Sequence, residues 1–189
     1  MSLLTPAPHV PFRPDKLRAA VHYVCFRSPD PRRLGKTKLN KILYYADREA
    51  YLRTGQPITG EVYVKHQYGP VSSHLDAAIA DLERNRLVAV AEASGYNAFV
   101  GASYAQKQYL SLRRPDVSVF TAEEVSLIEQ YVDLICERYS AREISRASHD
   151  AVWEAAELGE EIPYYTAFLQ TPAEVTPDDL AWARSITGG

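Results

Sequence analysis

The side chains best suited to chemistry in this chain are five histidines, His9, His22, His66, His74 and His149, and two cysteines, Cys25 and Cys136. Zinc sites gather three or four such ligands in tight local pairs, and no Cys/His cluster of that kind is evident. There is no G-x-S-x-G elbow, no Walker loop, no G-x-G-x-x-G turn and no H-E-x-x-H pair. His149, followed by Asp150, is the best remaining general base, but no nucleophile accompanies it. These patterns point away from an enzyme and identify no catalytic, cofactor-binding or metal site.

His149 and Trp153 stand four residues apart. On one continuous helix they would share a face. The expectation is that Trp153 fills a gap between two halves of the protein while His149 bonds a backbone carbonyl. The chain has 13 tyrosines. Tyr44, Tyr45, Tyr51, Tyr63, Tyr68, Tyr164 and Tyr165 exceed what one core requires, so some are expected to face a groove or partner, where aromatic rings with a polar tip are favoured.

The elements that position these residues follow from periodicity. In Lys36–Gly55 the apolar Leu39, Ile42, Leu43 and Ala46 recur at helical spacing, with Ala50 beyond. This reads as a central core helix, capped by Thr37 and stopped by Gly55. The polar Asn40, Lys41, Asp47, Arg48 and Arg53 mostly lie off the stripe. A first helix over 15–27 is capped by Asp15 and stopped by Pro29 and Pro31. Arg32, Arg33 and Lys36 form a basic turn after it.

Residues 61–67 read as a strand with Val62 and Val64 on one face. Tyr68-Gly69-Pro70-Val71 is a rigid joint, because Pro70 drives Gly69 out of the helical region. A helix follows to about Asn85, capped by Ser72 or Ser73, with Leu75, Ala78, Ile79 and Leu82 inward. Residues 86–93 and 99–112 form a hairpin around a Gly95-Tyr96-Asn97 turn. Thr121-x-x-Glu124 and Ser140-x-x-Glu143 are capping boxes, opening helices to about Tyr139 and through His149. Asp150–Leu158 is a further helical piece ended by Gly159. Thr176-Pro177 starts a terminal helix over 180–186.

The fold class is therefore α+β, mainly α: one helical domain over 15–189 with a small winged-helix-like β-hairpin, behind a flexible proline-rich arm at 1–14. At 189 residues, 46% hydrophobic and 24% charged, the chain can bury a full core without staples. No stretch is long and apolar enough to span a membrane, and the opening residues lack a signal-peptide run. A cytoplasmic protein with buried reduced thiols is expected.

Helix, helix, strand, helix, hairpin is also winged-helix order, which makes a DNA-binding transcription regulator the alternative reading. The charge argues against it. The net charge is −3. Residues 72–86 set Arg84 and Arg86 against Asp76, Asp81 and Glu83, and residues 93–104 contain no Lys or Arg. A groove-reading helix needs cations for phosphate.

Three blocks of residues carry a family resemblance. KLNKILYYA with YLRTGQPI, then YVKHQYGPV, then SAREISRASHDAVWEAAELGEEIPY, resemble the Panacea (SocA-like) antitoxins of toxin–antitoxin systems, which are also labelled phage-associated. The likeness spans about Thr37 to Tyr165. Lys38, Leu39, Lys41, Leu43 and Tyr44 match the first motif; Tyr68, Gly69, Pro70 and Val71 the second; His149 and Trp153 the third. Asn40 stands where many relatives have Gln. The resemblance implies an antitoxin that binds a separately encoded cognate toxin protein, in some cases as an adaptor delivering it to a protease. It also implies that the motif residues either hold the fold or touch the partner. Toxin specificity is expected in residues 1–14, the hairpin or the C-terminal tail.

Overall fold

In the computed structural model, which describes residues 10–97 and 102–169, the periodic apolar stretches become six α-helices and two antiparallel hairpins. The helices are α1 (Pro14–Arg27), α2 (Lys36–Thr54), α3 (Leu75–Arg84), α4 (Ala122–Arg138), α5 (Ala141–Ala147) and α6 (Ala151–Ala155). The strands are β1 (Tyr63–His66) with β2 (Gly69–Ser72), and β3 (Val88–Asn97) with β4 (Ala102–Ser111). Short 3-10 turns lie at Pro31–Arg33 and Tyr164–Leu169. The expected α+β, mainly α class is observed. The terminal helix expected over 180–186 lies outside the described residues.

α2 is the hub, in contact with α1, α4, α5, β2 and the second 3-10 turn. Leu39, Ile42 and Leu43 pack into one core with Leu17, Val21 and Val24 of α1 and Ile128, Val132 and Ile135 of α4. Each such burial contributes roughly 1.5–3 kcal/mol. Cys25 and Cys136 are free and buried in the same core, where burial pushes the Cys25 thiol up to about 12. Among the described residues no helix is long and apolar enough to cross a membrane.

Both capping boxes form as expected. The Thr121 hydroxyl accepts from the Glu124 amide and the Ser140 hydroxyl from the Glu143 amide, and each glutamate reaches back to its cap. Gly55 ends α2 at φ 73°. Other boundaries moved. α1 begins at Pro14, placing Asp15 in the first turn rather than at the cap; a proline suits the first helical position. α2 starts at Lys36 on Gly35, with no side-chain cap, so Thr37 is inside the helix. α3 starts at Leu75 on His74, because Ser72 is held in β2 by its partner strand.

Two hairpin expectations needed revision. The Tyr68-Gly69-Pro70-Val71 joint is itself the turn and start of β2, paired with β1 as Lys65↔Pro70 and His66↔Gly69. A proline fits there because β2 is an edge strand, with no second neighbour to claim the missing N–H. In the second hairpin β3 runs on through Gly95, Tyr96 and Asn97, paired up to Asn97↔Ala102, so these residues are strand and not turn. Cross-strand pairing outweighs the local turn preference of Gly and Asn.

Of the proline-rich arm, Phe12 stacks on His74 with ring centroids 4.4 Å apart. The Arg13 amide donates to the Thr59 carbonyl at 2.8 Å.

Candidate functional site

The off-stripe residues of α2 are not outside. Asn40, Lys41, Asp47 and Arg48 are all buried, although they lie off the apolar stripe. A buried polar group without a partner costs about 1–3 kcal/mol, and these four are each matched. Asn40 accepts from the Ser72 amide at 3.0 Å and donates to the Lys36 carbonyl. Lys41 Nζ donates to the Pro70 carbonyl at 2.7 Å. Asp47 accepts from the Thr59 amide and hydroxyl and from the Tyr63 hydroxyl. Arg48 donates to the Tyr44 hydroxyl and lies 3.7 Å from Asp150.

The polar side of α2 is thus a socket for the first hairpin. Gly69 takes φ 92°, and a Cβ there would collide with the Ser148 hydroxyl and the Lys41 ammonium. The Ser145 hydroxyl holds the Tyr68 carbonyl at 3.0 Å. The outer edge of β1 is covered by the segment after α6, through Lys65 N to Glu160 O and Ile162 N to Tyr63 O.

His149 and Trp153 do not share one helix. α5 ends at Ala147, and Asp150 caps α6 by accepting from the Trp153 amide. The two rings nevertheless stack face to face, with centroids 3.7 Å apart and planes 3° from parallel. It is Trp153, not His149, that reaches a backbone carbonyl, donating from Nε1 to His66 O at 3.1 Å. His149 Nε2 is buried without a hydrogen-bond partner among the described residues. Burial, reinforced by Lys41 and Lys65, lowers its pKa and keeps the ring neutral. Lys65 Nζ covers the other part of this cluster, 4.3 Å from the indole centroid.

Residues of all three motifs therefore meet at one corner: Lys41 and Tyr44 from α2, Tyr68 to Val71 from the hairpin, His149 and Trp153 from the third block. Leu39 and Leu43 are core. Lys38 lies on another side of α2, 3.5 Å from the Cys136 carbonyl. Among the motif side chains Tyr68 alone stands well out, at 58% exposed. Of the seven tyrosines expected to be partly surplus, Tyr44, Tyr51 and Tyr63 are core and only Tyr68 and Tyr165 are exposed. Of the other two, Tyr45 stacks on Tyr131, while Tyr164 meets Tyr51 at a tilt of 34°.

Burial drives Lys41 down to about 7, with Asp150 opposing only in part. An amine in that range can act as a base, but Lys41 is 1% exposed and engaged on Pro70. It works as a strut. Burial likewise raises Asp47 to about 6 against the hydrogen bonds that favour its anion. Asp47 and its partners Thr59, Tyr63 and Tyr164 escaped the sequence reading, since nothing in their spacing announces a shared carboxylate. Among the described residues no group of three His, Cys, Asp or Glu side chains is placed to hold a metal.

The model of the antitoxin SocA-like, Panacea domain family matches residues 39–154. No curated protein and no solved structure matches the chain. The matched stretch covers more than half of the 189 residues and includes the socket of α2, the first hairpin and the stacked His149–Trp153 pair. The chain belongs to the SocA-like antitoxin family and carries its Panacea domain.

Proposed function

We propose that this protein is an antitoxin that neutralises a separately encoded toxin in the cytoplasm by direct protein–protein binding, without chemistry on it. The observation that carries this reading is the family match over residues 39–154. The burial of most motif side chains supports it in a specific way. Lys41, Tyr44, Gly69 and Pro70 are committed to internal contacts, so they act by maintaining a frame on which a variable surface can meet a partner. In a further step of the same reading, the bound toxin is handed to a protease.

A DNA-reading role finds no support on α3. Its exposed face offers Asp76 and Glu83 beside Arg84, and Asp81 pairs with Arg18. Phosphate would meet net negative charge there.

The test is co-expression. A toxic product of a gene adjacent to this one should lose its lethality when this protein is made, and the two should co-purify. Toxin half-life measured with and without this protein tests the adaptor step: shortening supports it. If no neighbouring product is toxic, or toxicity persists without complex formation, the reading falls.

A further inference from the structure

The net charge of −3 conceals a basic groove. A cleft of about 730 Å³ opens between the start of α2, β4 and the α4–α5 junction, and its walls include Arg32, Arg33, Lys36, Lys38, Lys107 and Arg138. Among the described residues the only carboxylate in its lining is Glu137. Across Thr37 and Ala141 it continues into a second cleft of about 400 Å³, walled by Arg142, Arg146, His149 and Tyr68.

Part of this charge serves the fold. Arg32 pairs with Asp30 and Lys36 with Asp76, while Arg33 and Lys38 reach the Glu137 and Cys136 carbonyls at the end of α4. Lys107, Arg138, Arg142 and Arg146 are exposed and form no ion pair among the described residues. The first turn of α2 faces the same cleft, and no side chain caps its amides.

We propose that this groove is the surface that receives the toxin, and that it does so by taking an acidic peptide segment of the partner, with Tyr68 as an aromatic anchor at its far end. The inference rests on the antitoxin reading above. Four uncommitted cations along two joined clefts match a short row of carboxylates, and complementary charge of this kind sets specificity and encounter rate. An exposed tyrosine beside them is the residue type that dominates such interfaces. A long polyanion fits less well, since Arg32 and Lys36 are already paired with Asp30 and Asp76 and Glu137 stands in the lining, leaving no continuous cationic track for successive phosphates.

The experiment uses the full chain and two fluorescein-labelled probes of equal charge, an alternating Glu/Asp decapeptide with a terminal Tyr and an oligothymidylate. Anisotropy at low salt should show saturable binding of the peptide, weakening as salt rises. Combining Arg138→Glu, Arg142→Glu and Arg146→Glu should weaken it about tenfold or more, since three exposed charge contacts reverse sign. If that variant does not melt cooperatively like the parent, the milder Arg→Gln set replaces it, with a severalfold loss expected. Tyr68→Ala should weaken peptide binding without changing the melting temperature. No peptide binding, unchanged binding by the variants, or tighter binding of the oligothymidylate overturns the proposal. In co-expression, a charge-reversed variant that still neutralises the toxin sinks the groove and leaves the antitoxin reading intact. A parent chain that neutralises no neighbouring product sinks the antitoxin reading whatever the peptide does.

Discussion

Lys41 Nζ, in the middle of α2, donates a 2.7 Å hydrogen bond to the carbonyl oxygen of Pro70 in β2. One buried amine thereby fixes the first hairpin to the central helix. The ammonium form is costly to bury, which is why its pKa falls to about 7.

That shift has a stability signature. The unfolded chain holds the lysine proton up to an ordinary 10.5, and the folded chain releases it near 7. Between those values the unfolded state binds more protons, so this group makes folding more favourable as pH rises from 7 to 10.5. Below 7 both states are charged and the burial cost is constant. Urea unfolding of the parent and of Lys41→Met should diverge in the parent's favour with rising pH, by up to about 1.4 kcal/mol per unit. A difference independent of pH would mean that the amine stays charged in the fold.

Gly69 and Gly55 both adopt positive φ, at 92° and 73°. A Cβ at 55 meets open space, whereas at 69 it runs into Ser148 and Lys41. Gly55→Ala should cost about 1 kcal/mol from backbone strain alone. Gly69→Ala should cost about 2–3 kcal/mol, strain plus displacement of the strut. In a chain of this length that separates the two melting temperatures by roughly 2–8 °C. Equal losses would show that the socket yields freely to a methyl group.

Trp153 joins three segments: its ring lies on His149, its N–H holds His66, and Lys65 sits over it. Trp153→Phe keeps a stacking surface and loses the hydrogen bond, for an expected cost of about 1 kcal/mol. Trp153→Ala loses both, for about 2–3 kcal/mol, below the range for fully buried tryptophan because the residue is only partly buried. Chemical denaturation of the pair measures the split. A phenylalanine variant as unstable as the alanine one would place the whole contribution in the N–H.

What could be read from the sequence was what is local. The stripe of Leu39, Ile42, Leu43 and Ala46 and the boxes at Thr121 and Ser140 each depend on neighbours within one or two turns. The buried polar side of α2 was not legible: Asn40, Lys41, Asp47 and Arg48 have the composition of a solvated face, and each finds a partner 12 to 102 residues away. β2 was hidden by Pro70, which reads as a strand breaker until the strand proves to be an edge. The basic groove was hidden by dilution, its cations coming from 32–38, 107 and 138–146, stretches far apart in sequence.

Asp47 gives the opposite pH signature from Lys41, and the two can be separated. Its carboxyl accepts from Thr59, Tyr63 and Tyr164, contacts that favour the anion, yet burial dominates and lifts its pKa from 3.8 to about 6. The folded chain therefore holds this proton more tightly than the unfolded chain. The resulting stabilisation is fully present below 3.8 and is lost as pH rises through about 6. Asp47→Asn removes the titration while keeping an acceptor for the Thr59 amide. All other carboxyls are common to both proteins, so the difference in unfolding free energy isolates this one. From pH 4 to 7 the asparagine variant should gain on the parent by roughly 3 kcal/mol at most, with nearly all the change between 4 and 6. Parallel stability curves would mean that the hydroxyls and amide offset burial and that Asp47 titrates as an ordinary carboxylate.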